Sequence, residues 1–303
     1  GILTSTPEEL LFFNGFGEIP VSSEGTKLFI STSFSKSEPG STLKQFQIEG
    51  SSNSLTIRAS HPFVRSRAEN LNGYLGFTSR NSKTDLLNSN ITTDRLRILN
   101  IGAAYDFVDR YRGVNLISVD LAKGINFMGA TGPGSANLSR ADGRSDFTKL
   151  SGKVLRLQQL GLGLSFLTSF TWQYAFDVLL SSEEFGLGGS QLVRAYDPSE
   201  ITGDNGTAIK MELQKGIKTD WSYLKSFQSY FYFDHGTVAI RNSTAVQKSS
   251  DSLTSTGLGV RANINEWLSG YLEVGQPLSG DVNAEGNSCL LYTSDAADDS
   301  LRV

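Results

Sequence analysis

The chain has 303 residues, a formal net charge of -4, 38% apolar and 10% aromatic residues. That length allows one large domain, and the acidic balance argues against a nucleic-acid partner. No apolar run approaches the roughly 20 residues of a membrane helix, and the single Cys289 excludes an internal disulfide framework.

The chain opens on Gly1 rather than Met, with no basic-then-apolar leader, so it reads as a fragment whose start is silent about compartment. Leu10-Leu11-Phe12-Phe13 is the longest early apolar run and is far too short to span a bilayer. Weak alternation of apolar and polar residues predicts strands near 8–15, 26–35, 54–61, 70–80, 95–107, 113–122 and 147–157. His61 before Pro62 predicts a strand end at a turn. Segments 81–94 and 124–145 read as long polar loops, and Asp109-Arg110-Tyr111-Arg112-Gly113 as a tight turn. Gly129-Ala130-Thr131-Gly132-Pro133-Gly134 lacks the Lys-Ser/Thr of a phosphate loop and reads as surface.

Beyond a second tight turn at Gln159-Leu160-Gly161 the alternation strengthens. Leu162, Leu164, Phe166, Thr168, Phe170, Trp172, Tyr174 and Phe176 share one face, opposite small or polar residues. From 207, Ile209, Met211 and Leu213 oppose Ala208, Lys210, Glu212 and Gln214. From 226, Phe227, Phe231 and Phe233 oppose Gln228, Tyr230, Tyr232 and Asp234. From 257, Leu258, Val260, Ala262 and Ile264 oppose Gly257, Gly259, Arg261 and Asn263, and Leu268, Leu272 and Val274 continue the pattern. These strands are long. Soluble strands usually run about five or six residues, whereas a tilted strand crossing a bilayer needs about 9–11. A soluble sandwich and a membrane barrel alternate alike. Length, and aromatics near strand ends (Trp172, Tyr174, Phe176, Trp267, Tyr271), favour an all-β transmembrane antiparallel barrel.

The third long loop, 179–206, carries Phe185-Gly186-Leu187-Gly188-Gly189-Ser190-Gln191-Leu192-Val193-Arg194-Ala195-Tyr196. Its glycines allow the backbone to fold back on itself, and Arg194 stands between Val193 and Ala195. Ser181 and Ser182 lack a nucleophile-elbow context. His61 and His235 lack metal-ligand spacing. No catalytic constellation, cofactor or metal is expected, and the chain is read as a non-enzyme.

This loop, with Gly203-Asp204-Asn205-Gly206 and Glu212-Leu213 after it, resembles the pore-loop signature of two-partner secretion transporters, the ShlB/FhaC/HecB haemolysin secretion/activation proteins (TpsB). Phe233-Asp234-His235-Gly236 is similar to the family's Phe-x-Asp-x-Gly wall motif. His61-Pro62-Phe63-Val64-Arg65-Ser66-Arg67, Asp94-Arg95-Leu96, Thr256-Gly257-Leu258-Gly259-Val260-Arg261 and Pro277-Leu278 extend the likeness over roughly 8–280. The resemblance implies a Gram-negative outer-membrane pore exporting an unfolded haemolysin or adhesin, with folding of the exoprotein outside as the energy source. It implies a partial barrel of about twelve or thirteen strands out of roughly sixteen, over residues 1–286. The first and last barrel strands, and an upstream signal, plug helix, linker and two POTRA domains, are expected to lie outside the chain. Residues 287–303 look foreign to the family and are set aside.

By the same resemblance Phe185, Gly188, Gly189, Val193, Arg194, Ala195 and Tyr196 form the inward loop, and Phe233, Asp234 and Gly236 its wall partner. Arg194 is expected to pair with Asp234, which has the lumen parity of its strand. Ala195 departs from the family's Gly, and Ala does not take positive φ cheaply. Lys210 and Glu212 are read as general lumen charges. The expected partners are the secreted exoprotein, outer-membrane lipids and the POTRA domains. The alternatives are a related barrel-assembly factor and a passive porin or receptor.

Overall fold

A computed structural model describes residues 2–4, 9–218, 224–242, 249–264, 268–279 and 290–294. In chain order the strands are β1 (Ile2–Thr4), β2 (Leu10–Pro20), β3 (Lys27–Ser37), β4 (Glu49–Arg65), β5 (Glu69–Leu86), β6 (Ser89–Val108), β7 (Gly113–Gly124) and β8 (Thr148–Gly161). They continue as β9 (Leu164–Ala175), β10 (Phe185–Leu187), β11 (Ile201–Gly203), β12 (Asn205–Lys218), β13 (Ser226–Ala239), β14 (Ser250–Asn263), β15 (Ser269–Ser279) and β16 (Leu290–Ser294). Fourteen lie in one sheet in chain order, with β10 and β11 paired separately between β9 and β12. All but β1 and β16 of those fourteen have 11 residues or more, long enough to cross a bilayer. β1 and β16 are the edges of the order. β16 pairs with β15 through Tyr271↔Ser294 to Gly275↔Leu290, inside the segment set aside from the sequence; Trp267 lies outside the described residues.

Three sequence expectations fail locally. Residues 159–161 belong to β8, and the turn falls on Leu162 (φ 52°) and Gly163 (φ 75°) instead. Segment 81–94 is no long loop: β5 and β6 run on to a two-residue turn, Leu87 (φ 49°) and Asn88 (φ 61°). Two successive left-handed residues match the twist of a hairpin, so polar residues on either side stay in strand. Nor do His61 and Pro62 end a strand. β4 continues to Arg65, and a register shift between Pro62 and Val64 absorbs the missing N–H. The expected turn at 109–113 is present. Asp109 Oδ1 accepts the N–H groups of Tyr111 (2.9 Å) and Gly113 (3.0 Å). The Arg156 guanidinium, together with those N–H groups, holds the Asp109 carboxyl well below the ordinary carboxylate range.

The chain forms two compact units. The first comprises Gly1–Tyr105, Ser118–Gly152 and Gln173–Glu184; the second comprises Asp106–Ile117, Lys153–Trp172 and Phe185–Val303. In the first, one sheet face carries hydroxyl pairs, Ser33–Ser54 (2.8 Å), Thr56–Thr78 (3.1 Å) and Ser52–Ser82 (3.3 Å). The other face carries Ile30, Phe34, Leu55, Ile57 and Leu75, all exposed. A water-soluble sheet buries its apolar face, whereas here it is the oily side that is uncovered, as in a wall turned to lipid. The unit's small core gathers Leu96, Ile98, Ala122, Phe147, Ala175, Leu179 and Leu180 where the 125–147 loop folds back.

The second unit follows the same rule more sharply. On β12–β15, Leu213, Phe231, Leu258 and Leu272 are exposed, and the alternate positions Glu212, Gln214, Tyr230, Tyr232, Asp234 and Ser255 are buried. What covers the polar face is the loop. Phe185, Leu187, Val193 and Tyr196 form a second core with Ala208, Val238 and Leu253 of the wall. Glycine makes the close approach possible: a Cβ on Gly206 would run into the Phe185 ring, and one on Gly236 would sit 2.7 Å from Leu187.

Candidate functional site

The loop tip is shaped by residues in the left-handed region. Gly188 (φ 112°) and Gly189 (φ 81°) take it freely, and their N–H groups reach the carbonyls of Leu192 (2.8 Å) and Tyr196 (2.9 Å). Val193 (φ 57°) and Ala195 (φ 69°) take it at a cost, since a Cβ crowds the following carbonyl, and more so in a β-branched residue. The departure from glycine at Ala195 therefore falls where glycine would be easiest. Between these two left-handed residues, Val193 and Ala195, the Arg194 N–H meets Asp234, which accepts it at 3.2 Å.

The Arg194 side chain is ringed by carboxylates. Nε and Nη2 meet the two oxygens of Asp234 at 2.7 and 2.8 Å, a bidentate fork. Nη1 meets Glu212 Oε1 at 2.6 Å and Glu273 Oε2 at 3.1 Å. The guanidinium lies over the Tyr232 ring, 3.7 Å from its centroid. Arg194 is 5% exposed and Asp234 0%. A second guanidinium, Arg261, stacks on Tyr230 at 3.8 Å and reaches Glu212 at 3.1 and 3.2 Å. Tyr230 in turn donates to Glu273 at 2.7 Å. Tyr196 is anchored by donating to the Thr254 carbonyl (2.7 Å) and accepting the Ser279 N–H (3.2 Å).

The structure thus gathers Arg194, Asp234, Glu212, Val193, Ala195 and Tyr196 at one place, with Gly188 and Gly189 in the turn and Phe185 in the apolar support. Gly236 leaves room for Leu187. Phe233 is not brought in, because its neighbour Asp234 occupies the loop-facing parity of β13. Glu212 touches Arg194 directly rather than acting as a dispersed lumen charge. Lys210 donates to the carbonyls of Gln191 (3.0 Å) and Ser190 (3.3 Å) on the loop. Sequence reasoning missed Glu273, Tyr232, Tyr230 and Arg261. Each stands on the polar parity of its strand, and that parity was the signal available.

The same loop has a second fixing at its start. Glu183 accepts from Arg80 (2.5 Å) and Lys149 (2.9 Å), while Glu184 accepts from Arg140 (2.9 Å). Backbone carbonyls share these donors: Arg80 also reaches Ser182 O (3.1 Å), and Lys149 and Gln173 reach Glu183 O (2.9 and 3.1 Å).

The profile of the haemolysin secretion/activation protein ShlB/FhaC/HecB family matches residues 14–262. Among solved structures, CdiB from Escherichia coli is similar with a TM-score of 0.76 at 19% identity, over 94% of this chain and 55% of that one. CdiB from Acinetobacter baumannii is similar with a TM-score of 0.70 at 20% identity, over 95% and 50%. BamA from Haemophilus ducreyi, lacking POTRA domains 1–3, gives a TM-score of 0.65 at 9% identity, over 95% and 62%. The chain therefore spans about half the length of the CdiB structures it resembles. No curated protein matches its sequence.

Proposed function

Because this chain belongs to the haemolysin secretion/activation protein ShlB/FhaC/HecB family, we propose that it forms the wall of a two-partner secretion pore and that its inward loop, tethered through Arg194, is the constriction. It is an outer-membrane β-barrel protein of Gram-negative type. Its apolar strand faces meet lipid, and its polar faces line the path of an unfolded exoprotein, a haemolysin or adhesin. POTRA domains in the full-length protein would receive that exoprotein before the pore. Export draws on folding of the exoprotein outside, and the loop positions rather than catalyses.

One observation carries this reading: a buried arginine at the tip of a folded-back loop, gripped bidentately by Asp234 of the wall. A guanidinium matches a carboxylate in shape as well as charge, so the grip sets the loop's position and not only its proximity. Breaking it leaves a buried charge uncompensated. The test is Arg194→Ala in the full-length protein, with its exoprotein measured in the culture medium. Export should collapse while the barrel remains in the outer membrane. Undiminished export would overturn the role given to the loop. A barrel-assembly role would instead show as loss of other outer-membrane proteins in the same strain.

A further inference from the structure

We infer that Lys210 is a stand-in cation: when the loop tip withdraws, its ammonium leaves the loop and takes the place of Arg194 against Asp234. The inference rests on the tether just proposed and adds what happens to the wall when the tether opens.

Asp234, Glu212 and Glu273 converge on Arg194. The cations around the cavity of about 340 Å³ beside it are Arg194, Arg261 and Lys210. Asp197 also lines the cavity but belongs to the loop and is exposed, so three wall carboxylates face three cations. Withdrawing Arg194 leaves those three carboxylates against Arg261, already engaged with Glu212, and Lys210, so that without a move by Lys210 Asp234 has no cation. Buried like charges without compensation strongly disfavour such a state.

Lys210 is placed to prevent it. It is the direct cross-strand partner of Asp234 in the β12–β13 ladder. Opposed residues of an antiparallel pair point to the same face with Cβ atoms about 4.5–5.5 Å apart, within reach of a lysine stem. In the closed arrangement its amine is occupied elsewhere, on the carbonyls of Ser190 and Gln191. Both acceptors belong to the loop, so they depart with Arg194. Lys210 is attracted by Asp234, Glu212 and Glu273 and repelled by Arg194. Removal of Arg194 therefore frees the ammonium of its acceptors, removes the repulsion and exposes the carboxylates in one step. The open cavity gives the side chain room to turn, and a flexible lysine suits the move better than a planar guanidinium fork.

The competing role is a staple: Lys210 holds the loop shut through the two carbonyls and does nothing else. The two roles differ in sign. The experiment records the open fraction of the full-length pore in planar bilayers for Arg194→Ala, Lys210→Met, Lys210→Arg and the Arg194→Ala/Lys210→Met pair. Heat-modified gel mobility confirms that each barrel is folded. Arg194→Ala should raise the open fraction. Lys210→Met should lower it, on the order of tenfold if one charge pairing is lost from the open state. Lys210→Arg should return it towards wild type. In the Arg194→Ala background, Lys210→Met should again lower it. A rise in open fraction for Lys210→Met, or no effect of it in the Arg194→Ala background, would establish the staple and overturn the exchange with the tether intact. No response to Arg194→Ala would overturn the tether itself, and the exchange with it.

Discussion

At Glu183 a carboxylate is held by cations; at Arg194 a cation is held by carboxylates. The two fixings belong to one loop, and they differ in backbone as well as in sign. The start of the loop is relaxed: Leu180 and Glu184, flanking the short turn Ser181–Glu183, sit at φ -74° and -63°. The tip is strained, with Val193 and Ala195 both left-handed. Glu183 also keeps its neighbours busy through carbonyls, so its partners do not depend on the carboxylate alone. Arg194 has no such reserve, because its donors all end on carboxylates. A fixing that is redundant and unstrained behaves as a post. On the reading proposed above, one that is specific and strained serves as a latch, since release returns the backbone strain.

The largest effect that can break this contrast is Asp234→Ala. It removes both fork contacts and the acceptor of the Arg194 N–H, and breaking a buried pair costs about 3–5 kcal/mol, less where water enters. Protease cleavage within 188–197 should rise sharply while the loop start stays protected. Cleavage spreading equally to 179–184 would mean that the loop responds as one body. Next in size is Gly275→Ala on β15. A Cβ there would sit 2.8 Å from the Ala195 methyl and collide with the Tyr232 hydroxyl. Overpacking of this kind costs about 1–3 kcal/mol, so the barrel's unfolding temperature on gels should fall and the tip should loosen without loss of any charge. Glu183→Ala ranks third. Arg80 and Lys149 retain carbonyl acceptors, and Arg80 is 32% exposed, which suggests about 1 kcal/mol. Export should survive this change; an export defect as deep as that of Arg194→Ala would erase the distinction between post and latch.

The same contrast shows which parts of the site could be read from sequence. Alternation gave the face of Asp234, and with it Tyr230 and Tyr232, because side-chain parity in a strand depends on neighbours one residue away. Glu273 and Arg261 share that parity on β15 and β14, but parity says which face a residue lies on and not what it meets. Arg261 meets Glu212, and Glu273 meets Tyr230, only through register across several strands, as in Tyr230↔Gly259 then Gly259↔Glu273. The fixing at Glu183 was illegible for the same reason: Arg80 lies 103 residues away in the chain. Local signals also misled where a turn used unusual residues. Leu87 and Asn88 close a hairpin that a Gly-containing pair would have announced.

The smallest effect tests the strain itself, through Ala195→Gly. Glycine takes φ near 69° without the Cβ penalty, a gain of about 1 kcal/mol in the closed loop. Two terms oppose it. A glycine adds freedom to the released loop, worth about 0.4–1 kcal/mol. It also removes the methyl that packs over Gly275. If strain at the tip exceeds these, Ala195→Gly closes the pore more often, and bilayer recordings should show an open fraction lowered by at most about threefold. Val193 offers no equivalent test, because it is fully buried in the apolar support and its removal would leave a cavity. A higher open fraction in Ala195→Gly would mean that the methyl's packing, and not backbone strain, sets the balance at the tip. The latch would then owe its release to packing against β15, and Gly275 rather than Ala195 would be the position that tunes it.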